Sequence, residues 1–247
     1  MFDCNPVPEV ITEILKTCTT LNIPSRASSP PSLAKKLTVE LAFCDPTSIP
    51  KLPRLVPALL ATLPRHITAP RSLIHISPNL LELDLLYTSL NSSSPESGDI
   101  AWEYVNSLNL LADWRMKVEA FTNPSERDWM REEGVVQKMV ACLPYVGSLW
   151  VKASHRGLLH LAVVSELHEG SNSISHRLPA AHGGYLVLKH YPAIRIPEDE
   201  IISTTGAGDT LVGGLVAGVV RGSVEEEWVG KALERVRRTM RSRRAVG

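Results

Sequence analysis

An excess of charge of either sign is what this sequence most clearly lacks. Its 26 lysine and arginine residues balance 26 aspartate and glutamate residues, for a formal net charge of +0. No overall field therefore steers it toward nucleic acid or an anionic membrane, and partners must be argued from local groups. Long apolar runs are missing too: no stretch reaches the roughly 20 residues of a membrane-spanning helix, and the amino terminus lacks the charged-then-apolar layout of a signal peptide. The four cysteines, Cys4, Cys18, Cys44 and Cys142, fall at no metal-ligand spacing and read as reduced core thiols. The eight histidines, among them His155, His160, His176, His182 and His190, show no metal-site spacing, and there is no internal repeat or heptad run. The arginines Arg235, Arg237, Arg238, Arg241, Arg243 and Arg244 could touch nucleic acid, but with Glu225, Glu226 and Glu227 at the other end they fit a helix whose dipole is complemented at both ends. A cytoplasmic enzyme with no membrane partner is the default expectation. What is present, 44% hydrophobic residues in a chain of 247, suffices for one large domain or two small ones.

Apolar spacing along the chain alternates between the helical and the extended period. Pro6 to Leu21 carries Val7, Val10, Ile11, Ile14, Leu15 and Cys18 at helical spacing, and Val39 to Cys44 is a short apolar run closed by Asp45-Pro46. Leu52 to Leu63 has helical spacing but contains Pro53 and Pro57, which predicts a short or broken helix, and Ser72 to Ile76 reads as a strand. Ser77 and Pro78 stand at the cap and first turn of a helix over Asn79 to Leu90, followed by a polar surface loop over 91–98. Two helices are expected at Trp102 to Ala120 and Pro124 to Cys142, the second opened by Asn123 as cap with Glu126 at the third position. Leu149 to Ala153 and Leu158 to Val164 read as strands joined by a tight turn at Ser154 to Gly157, and 166–182 as a flexible insertion. Tyr185 to His190 makes another strand, Pro192 to Ile202 an extended lead-in, and the last helices run from about Gly206 to Val220 and Val224 to Arg241. The expected fold is α/β, three layers with a mainly parallel sheet covered on both faces.

The most telling segment is Ser203-Thr204-Thr205-Gly206-Ala207-Gly208-Asp209-Thr210, which runs into the small-residue apolar stretch 211–220. Two glycines flanking an alanine at the start of a helix present unpaired backbone N–H groups at the positive end of its dipole, a place suited to a phosphate. Asp209 sets a carboxylate beside that anion, which suggests phosphoryl transfer to a hydroxyl. No lysine follows the loop, so it is not a Walker A site. A glycine-rich turn with an aspartate cap is the alternative for these residues taken alone.

The wording around them resembles a known family. Thr204 to Thr210, followed by Val212-Gly213-Gly214, is similar to the carboxy-terminal signature of the PfkB (ribokinase-like) carbohydrate and nucleoside kinases. Ser77-Pro78-Asn79-Leu80-Leu81-Glu82-Leu83 resembles the family's Pro-Asn-x-x-Glu motif, and Val151-Lys152-Ala153-Ser154-His155-Arg156-Gly157 its strand-turn nucleotide segment, in the family's order. Phe43-Cys44-Asp45-Pro46-Thr47-Ser48-Ile49-Pro50-Lys51 and His190-Tyr191-Pro192 look like the pseudouridine kinases of that family, which occur fused to a pseudouridine-5'-phosphate glycosidase.

The resemblance implies a ribokinase-like fold that uses ATP and Mg2+ on a small sugar or nucleoside, with pseudouridine as acceptor. Asp209 would orient the attacking hydroxyl and take its proton late, while the anion-hole loop of Gly206, Ala207 and Gly208 holds the transferring phosphoryl group through the backbone amides of Ala207, Gly208 and Asp209. Lys152, Ser154, Gly157 and Thr205 would lie on the nucleotide side. Asn79 and Glu82, three apart on one helix face, would reach a hydrated Mg2+. Two positions depart from the pattern: Ser154 replaces a usual glycine, and Ser203 stands where many members carry an aspartate, which puts monovalent-cation activation in doubt. Met1 to Pro6 resembles the loop leaving a mid-sheet strand, and neither the glycine-pair sugar segment nor the β-sheet lid of the family's amino-terminal half is found. Residues 1–247 are thus expected to be the carboxy-terminal part of such a kinase domain, with a homo-oligomer and an upstream glycosidase both compatible with the resemblance. The alternative is a noncatalytic remnant that keeps the nucleotide loop as a binding or interaction module.

Overall fold

A computed structural model describes residues 2–3, 7–20, 42–46, 49–68, 74–92, 95–123, 125–167, 172–221 and 224–243. Among the described residues seven strands form one sheet: β1 (Phe2–Asp3), β2 (Ala42–Asp45), β3 (Ile74–Ile76), β4 (Ser148–Lys152), β5 (Leu158–Val164), β6 (Ser173–Arg177) and β7 (Tyr185–Tyr191). Their spatial order is β1-β2-β3-β4-β5-β7-β6. The first three pairings are parallel and the last three antiparallel, so the sheet is mixed rather than mainly parallel.

Nine helices are described: α1 (Pro8–Thr20), α2 (Leu55–Thr68), α3 (Leu80–Ser92), α4 (Pro95–Ser107), α5 (Ala112–Thr122), α6 (Asp128–Glu132), α7 (Val135–Cys142), α8 (Ala207–Arg221) and α9 (Glu225–Met240). Alternation along the strands assigns them to faces. Ala42, Cys44, Ile74, Ile76, Leu149, Val151, Leu159 and Leu161 share a buried cluster with residues of α1 to α7. Phe43, Trp150 and Leu158 turn the other way and pack with α8 and α9. Three layers, α/β/α, result as expected. Among the described residues no helix is long and apolar enough to cross a membrane.

Several expectations need correction. Pro57 lies in the first turn of α2, where its missing N–H leaves no bond unmade, so a full helix follows a 3-10 segment at Ile49–Arg54. Within the expected loop 91–98, residues 91–92 close α3, which continues to Ser92, and 95–98 open α4, which starts at Pro95, a first-turn proline; 93–94 lie outside the described residues. The two long helices predicted next are four, interrupted at Asn109 and Gly134, whose φ values of 55° and 62° are left-handed. Asn123 ends α5 instead of capping a helix, and α6 has Arg127 at its N-cap. Within 166–182, β6 pairs with β7, and its edge position explains its polar, half-exposed sequence. Phe2–Asp3, read as loop, is an edge strand beside β2. Cys44 and Cys142 are buried and form no disulfide, as read, and burial pushes the Cys142 pKa up to about 12. The Cys4 and Cys18 side chains lie outside the described residues.

One polar network seats α9, and through it α8, on the sheet. His160 on β5 joins Ser148 Oγ at 2.8 Å and Glu225 Oε1 at 2.7 Å, and stacks on Trp150 with ring centroids 3.4 Å apart. The Tyr191 hydroxyl donates to Glu225 Oε1 at 2.5 Å, and Lys189 Nζ donates to Glu226 at 2.7 Å. Burial alone would raise the pKa of Glu225, but His160, Tyr191 and Lys189 outweigh it and hold the carboxyl at about 2. Helix α8 then lies close against α9: a Cβ on Gly218 would run into the Trp228 ring, and one on Gly214 would sit 2.6 Å from Ala232 Cβ.

Candidate active site

The chain leaves the carboxyl end of β7 at Tyr191 and reaches α8 through the loop that holds the glycines. Gly206 has φ 77°, which lets the backbone turn sharply into the helix. Its carbonyl accepts from the Thr210 amide at 2.9 Å, Thr204 O accepts from the Ala207 amide at 3.3 Å, and Ser203 Oγ accepts from the Thr205 amide at 3.1 Å. Among the described residues, the amides of Gly208 and Asp209 donate to no acceptor. Both residues are exposed, so two N–H groups and a carboxylate face solvent at the positive end of a 15-residue helix. Two residues further on, Leu211 and Val212 are buried with Phe43, Trp150 and Leu158, which fixes this helix end to the sheet. A Cβ at Gly208 would meet nothing within 4 Å, so packing gives no reason for glycine there. Thr205 is exposed on the same turn.

A second group of polar residues gathers at the carboxyl ends of β2, β3 and β4. Asn79 caps α3: its Oδ1 accepts from the Glu82 amide at 2.9 Å, while Glu82 Oε2 accepts from the Asn79 amide at 2.8 Å. This reciprocal pair is a capping box with asparagine as the cap. Asn79 therefore precedes α3, and the three-residue spacing serves to start the helix. Asn79 forms a parallel bridge with Lys152, whose amide donates to Pro78 O at 2.8 Å. Lys152 Nζ reaches past β3 to Asp45 Oδ1 at 2.6 Å. Glu82 is only 3% exposed, and burial raises its pKa, a push that the Asn79 amide and Lys152 oppose and Asp45 adds to. The Ser77 hydroxyl is buried with no hydrogen-bond partner among the described residues. Sequence reasoning did not single out Asp45 as a site residue. Its signal was an acid closing an apolar strand just before a proline, at the edge where α/β sheets bind ligands.

The turn from β4 to β5 explains one departure and gives its glycine a backbone reason. Ser154 has φ 56°, the left-handed region that favours glycine, so the glycine usual there in the resembled pattern meets a backbone need that serine meets under strain. Gly157 is buried, with φ 101°, and a Cβ on it would collide with the Tyr191 carbonyl and approach the Ala193 amide. The close approach it permits is thus to the chain's own backbone. Asn79, Glu82 and Lys152 are brought together, and so are Thr205, Gly206, Ala207, Gly208 and Asp209. Among the described residues no hydrogen bond or ion pair joins the two groups.

Comparison with known proteins bears out the resemblance. Residues 182–235, which span β7, the glycine loop, α8 and most of α9, match the model of the pfkB family carbohydrate kinases. The chain is 27% identical over 178 residues, 72% of its length, to the pseudouridine-metabolizing bifunctional protein of Schizosaccharomyces pombe, of which this covers 22%. It is 42% identical over 54 residues, 22% of its length, to a cytidine kinase of Thermococcus kodakarensis, of which this covers 19%. A crystal structure of ribokinase from Cryptococcus neoformans in complex with ADP aligns with 94% of this chain and 54% of its own, with a TM-score of 0.48 and 15% identity. The chain therefore spans about a fifth of the curated relatives it matches and about half of that ribokinase.

Proposed function

We propose, with the pfkB pattern of residues 182–235 as premise, that this chain forms the nucleotide-side part of an ATP-dependent kinase that phosphorylates a sugar or nucleoside hydroxyl. The acceptor in this reading is pseudouridine and the product pseudouridine 5'-phosphate. One observation carries it: the Gly208 and Asp209 amides stand open beside an exposed carboxylate at the start of α8.

Phosphoryl transfer asks the protein mainly for position and charge stabilisation. The Gly208 and Asp209 amides, with that of Ala207 once its long bond to Thr204 O yields, would hold the transferring group through oriented dipoles already in place. Asp209 would accept a hydrogen bond from the acceptor hydroxyl, align it, and take its proton as the new P–O bond forms. Lys152, Ser154 and Thr205 would bound the nucleotide, with Gly157 keeping their turn in shape.

Mg2+ fits the second group of residues through water. Glu82 keeps one carboxylate oxygen outside its cap, Asn79 offers an amide, and the unpartnered Ser77 hydroxyl marks a polar shell that is incomplete as it stands. When bound, the ion would neutralise charge on the phosphate oxygens.

Support for pseudouridine comes from the similarity to the pseudouridine-metabolizing bifunctional protein of Schizosaccharomyces pombe and from Asp45-Pro46-Thr47-Ser48 and His190-Tyr191-Pro192. Incubation of the protein with Mg·ATP and pseudouridine, uridine or ribose tests the reading. Pseudouridine should be phosphorylated fastest, and Asp209→Asn should lower kcat by about 100- to 10,000-fold while sparing nucleotide binding. Unchanged turnover in that variant excludes Asp209 as the base. Nucleotide binding without transfer to any acceptor favours the noncatalytic module.

A further inference from the structure

Asp45 is the last residue of β2, and the proline that follows confines it to extended backbone geometry. It is only 5% exposed, and its carboxylate takes the Lys152 ammonium at 2.6 Å across the intervening end of β3. Two carboxylates, Asp45 and Glu82, are therefore buried around one ammonium at the carboxyl edge of a parallel sheet. A buried ion pair gains little net stability, because the loss of hydration offsets the attraction. Stability alone is thus a weak reason for this arrangement. The details favour a use for the lysine: an ammonium has three donors, and among the described residues the only side-chain partner of Lys152 Nζ is Asp45. Glu82 is not a competing partner of equal freedom, because one of its oxygens is tied to the Asn79 amide.

We propose that Asp45 is a positioning residue for nucleotide phosphate: it fixes the Lys152 ammonium over the end of β3 so that the remaining N–H donors meet a phosphate oxygen. The inference rests on the kinase reading above and gives Asp45 a role that reading does not assign. Asp45 itself never touches the phosphate. Its negative charge alone would repel the anion, so any gain it gives must come through the place and direction of the lysine.

That opposition gives the experiment its sign. Binding of Mg·ADP and of adenosine is measured by calorimetry for the whole protein and for Asp45→Asn, Asp45→Glu, Lys152→Met and the Asp45→Asn/Lys152→Met double variant, each first checked for a cooperative melt. Asp45→Asn should weaken Mg·ADP about tenfold, as loss of one well-placed charged hydrogen bond would. Lys152→Met should do the same, the double variant should be no weaker than Lys152→Met, and Asp45→Glu should recover part of the loss. Adenosine, which has no phosphate, should bind all of them alike. Unchanged or tighter Mg·ADP binding by Asp45→Asn overturns the proposal, and so does an equal loss for adenosine, which would mark a purely structural pair. Should Asp45→Asn fail to fold, Asp45→Glu and Lys152→Met decide: full Mg·ADP affinity in both overturns the proposal. A wild-type protein that binds no Mg·ADP defeats the kinase reading itself, a result distinct from wild-type binding that Asp45→Asn leaves intact.

Discussion

Ser154 shows how one residue can carry both a fold requirement and a functional question. Its φ of 56° places an L side chain in the left-handed region, at a cost of about 1–2 kcal/mol that glycine avoids. Glycine loses more freedom on folding, which offsets part of the gain. Ser154→Gly should therefore raise the unfolding free energy by at most about 1 kcal/mol. Urea denaturation followed by tryptophan fluorescence checks this, and a loss of stability would show that the serine side chain does something the contacts do not reveal. At this scale the sequence was informative where chemistry depends on neighbours in the chain. Asn79 and Glu82 are three apart, and the open amides at Gly208 and Asp209 follow from local turn and helix rules. Asp45 was not legible as a partner of Lys152, because that pair exists only once β2, β3 and β4 lie side by side.

At the scale of elements, the contact between α8 and α9 sets where Asp209 stands. Gly218 faces the Trp228 ring with no room for a methyl group, whereas Gly213, on the exposed side of α8, has nothing within 4 Å of where a Cβ would lie. Gly218→Ala should destabilise the protein by about 1–3 kcal/mol through overpacking. Gly213→Ala should be neutral or stabilising by up to about 1 kcal/mol, since alanine is the better helix former. Thermal melts of the two variants give the comparison, and equal behaviour would mean that α9 does not pack as described.

The same scale shows which elements periodicity could reveal. α1, α8 and α9 were legible from their spacing, and β4 and β5 from their apolar runs. β6 was hidden because an edge strand with half-exposed side chains has no apolar run to display. The breaks at Asn109 and Gly134 were hidden because helical spacing continues through them while the backbone turns left-handed. The polar run 91–98 was read as a loop, although a proline in the first turn favours the start of a helix there.

For the molecule as a whole, the polar network under α9 predicts how stability depends on pH. His75 accepts a hydrogen bond at Nδ1 from Trp150 Nε1 at 3.2 Å. Burial, with a smaller push from His160 that Glu225 opposes, lowers its pKa from 6.5 to about 3. A histidine depressed in the fold stays neutral where the unfolded chain takes up a proton, so stability falls as pH drops below 6.5 and goes on falling to about 3. Glu225, lowered from 4.5 to about 2, contributes stability that is present above 4.5 and lost as pH falls from there toward 2. The urea midpoint should therefore decline from near neutrality, with a steeper fall below pH 4.5 where both groups act. His75→Gln, which keeps an acceptor for Trp150, should flatten the curve above pH 4.5 and leave below it only the fall that Glu225 contributes. A midpoint independent of pH from 7 to 5 would show that His75 is not held neutral by the fold.

The account depends most on the claim that the start of α8 receives the terminal phosphate of a nucleotide. Titration of 15N-labelled protein with Mg·ATP and with Mg·ADP, read by amide chemical shifts, tests it directly. The Gly208 and Asp209 resonances should move most, and further with ATP than with ADP. Shifts confined to other parts of the sheet edge, or identical responses to the two nucleotides at these amides, would contradict it.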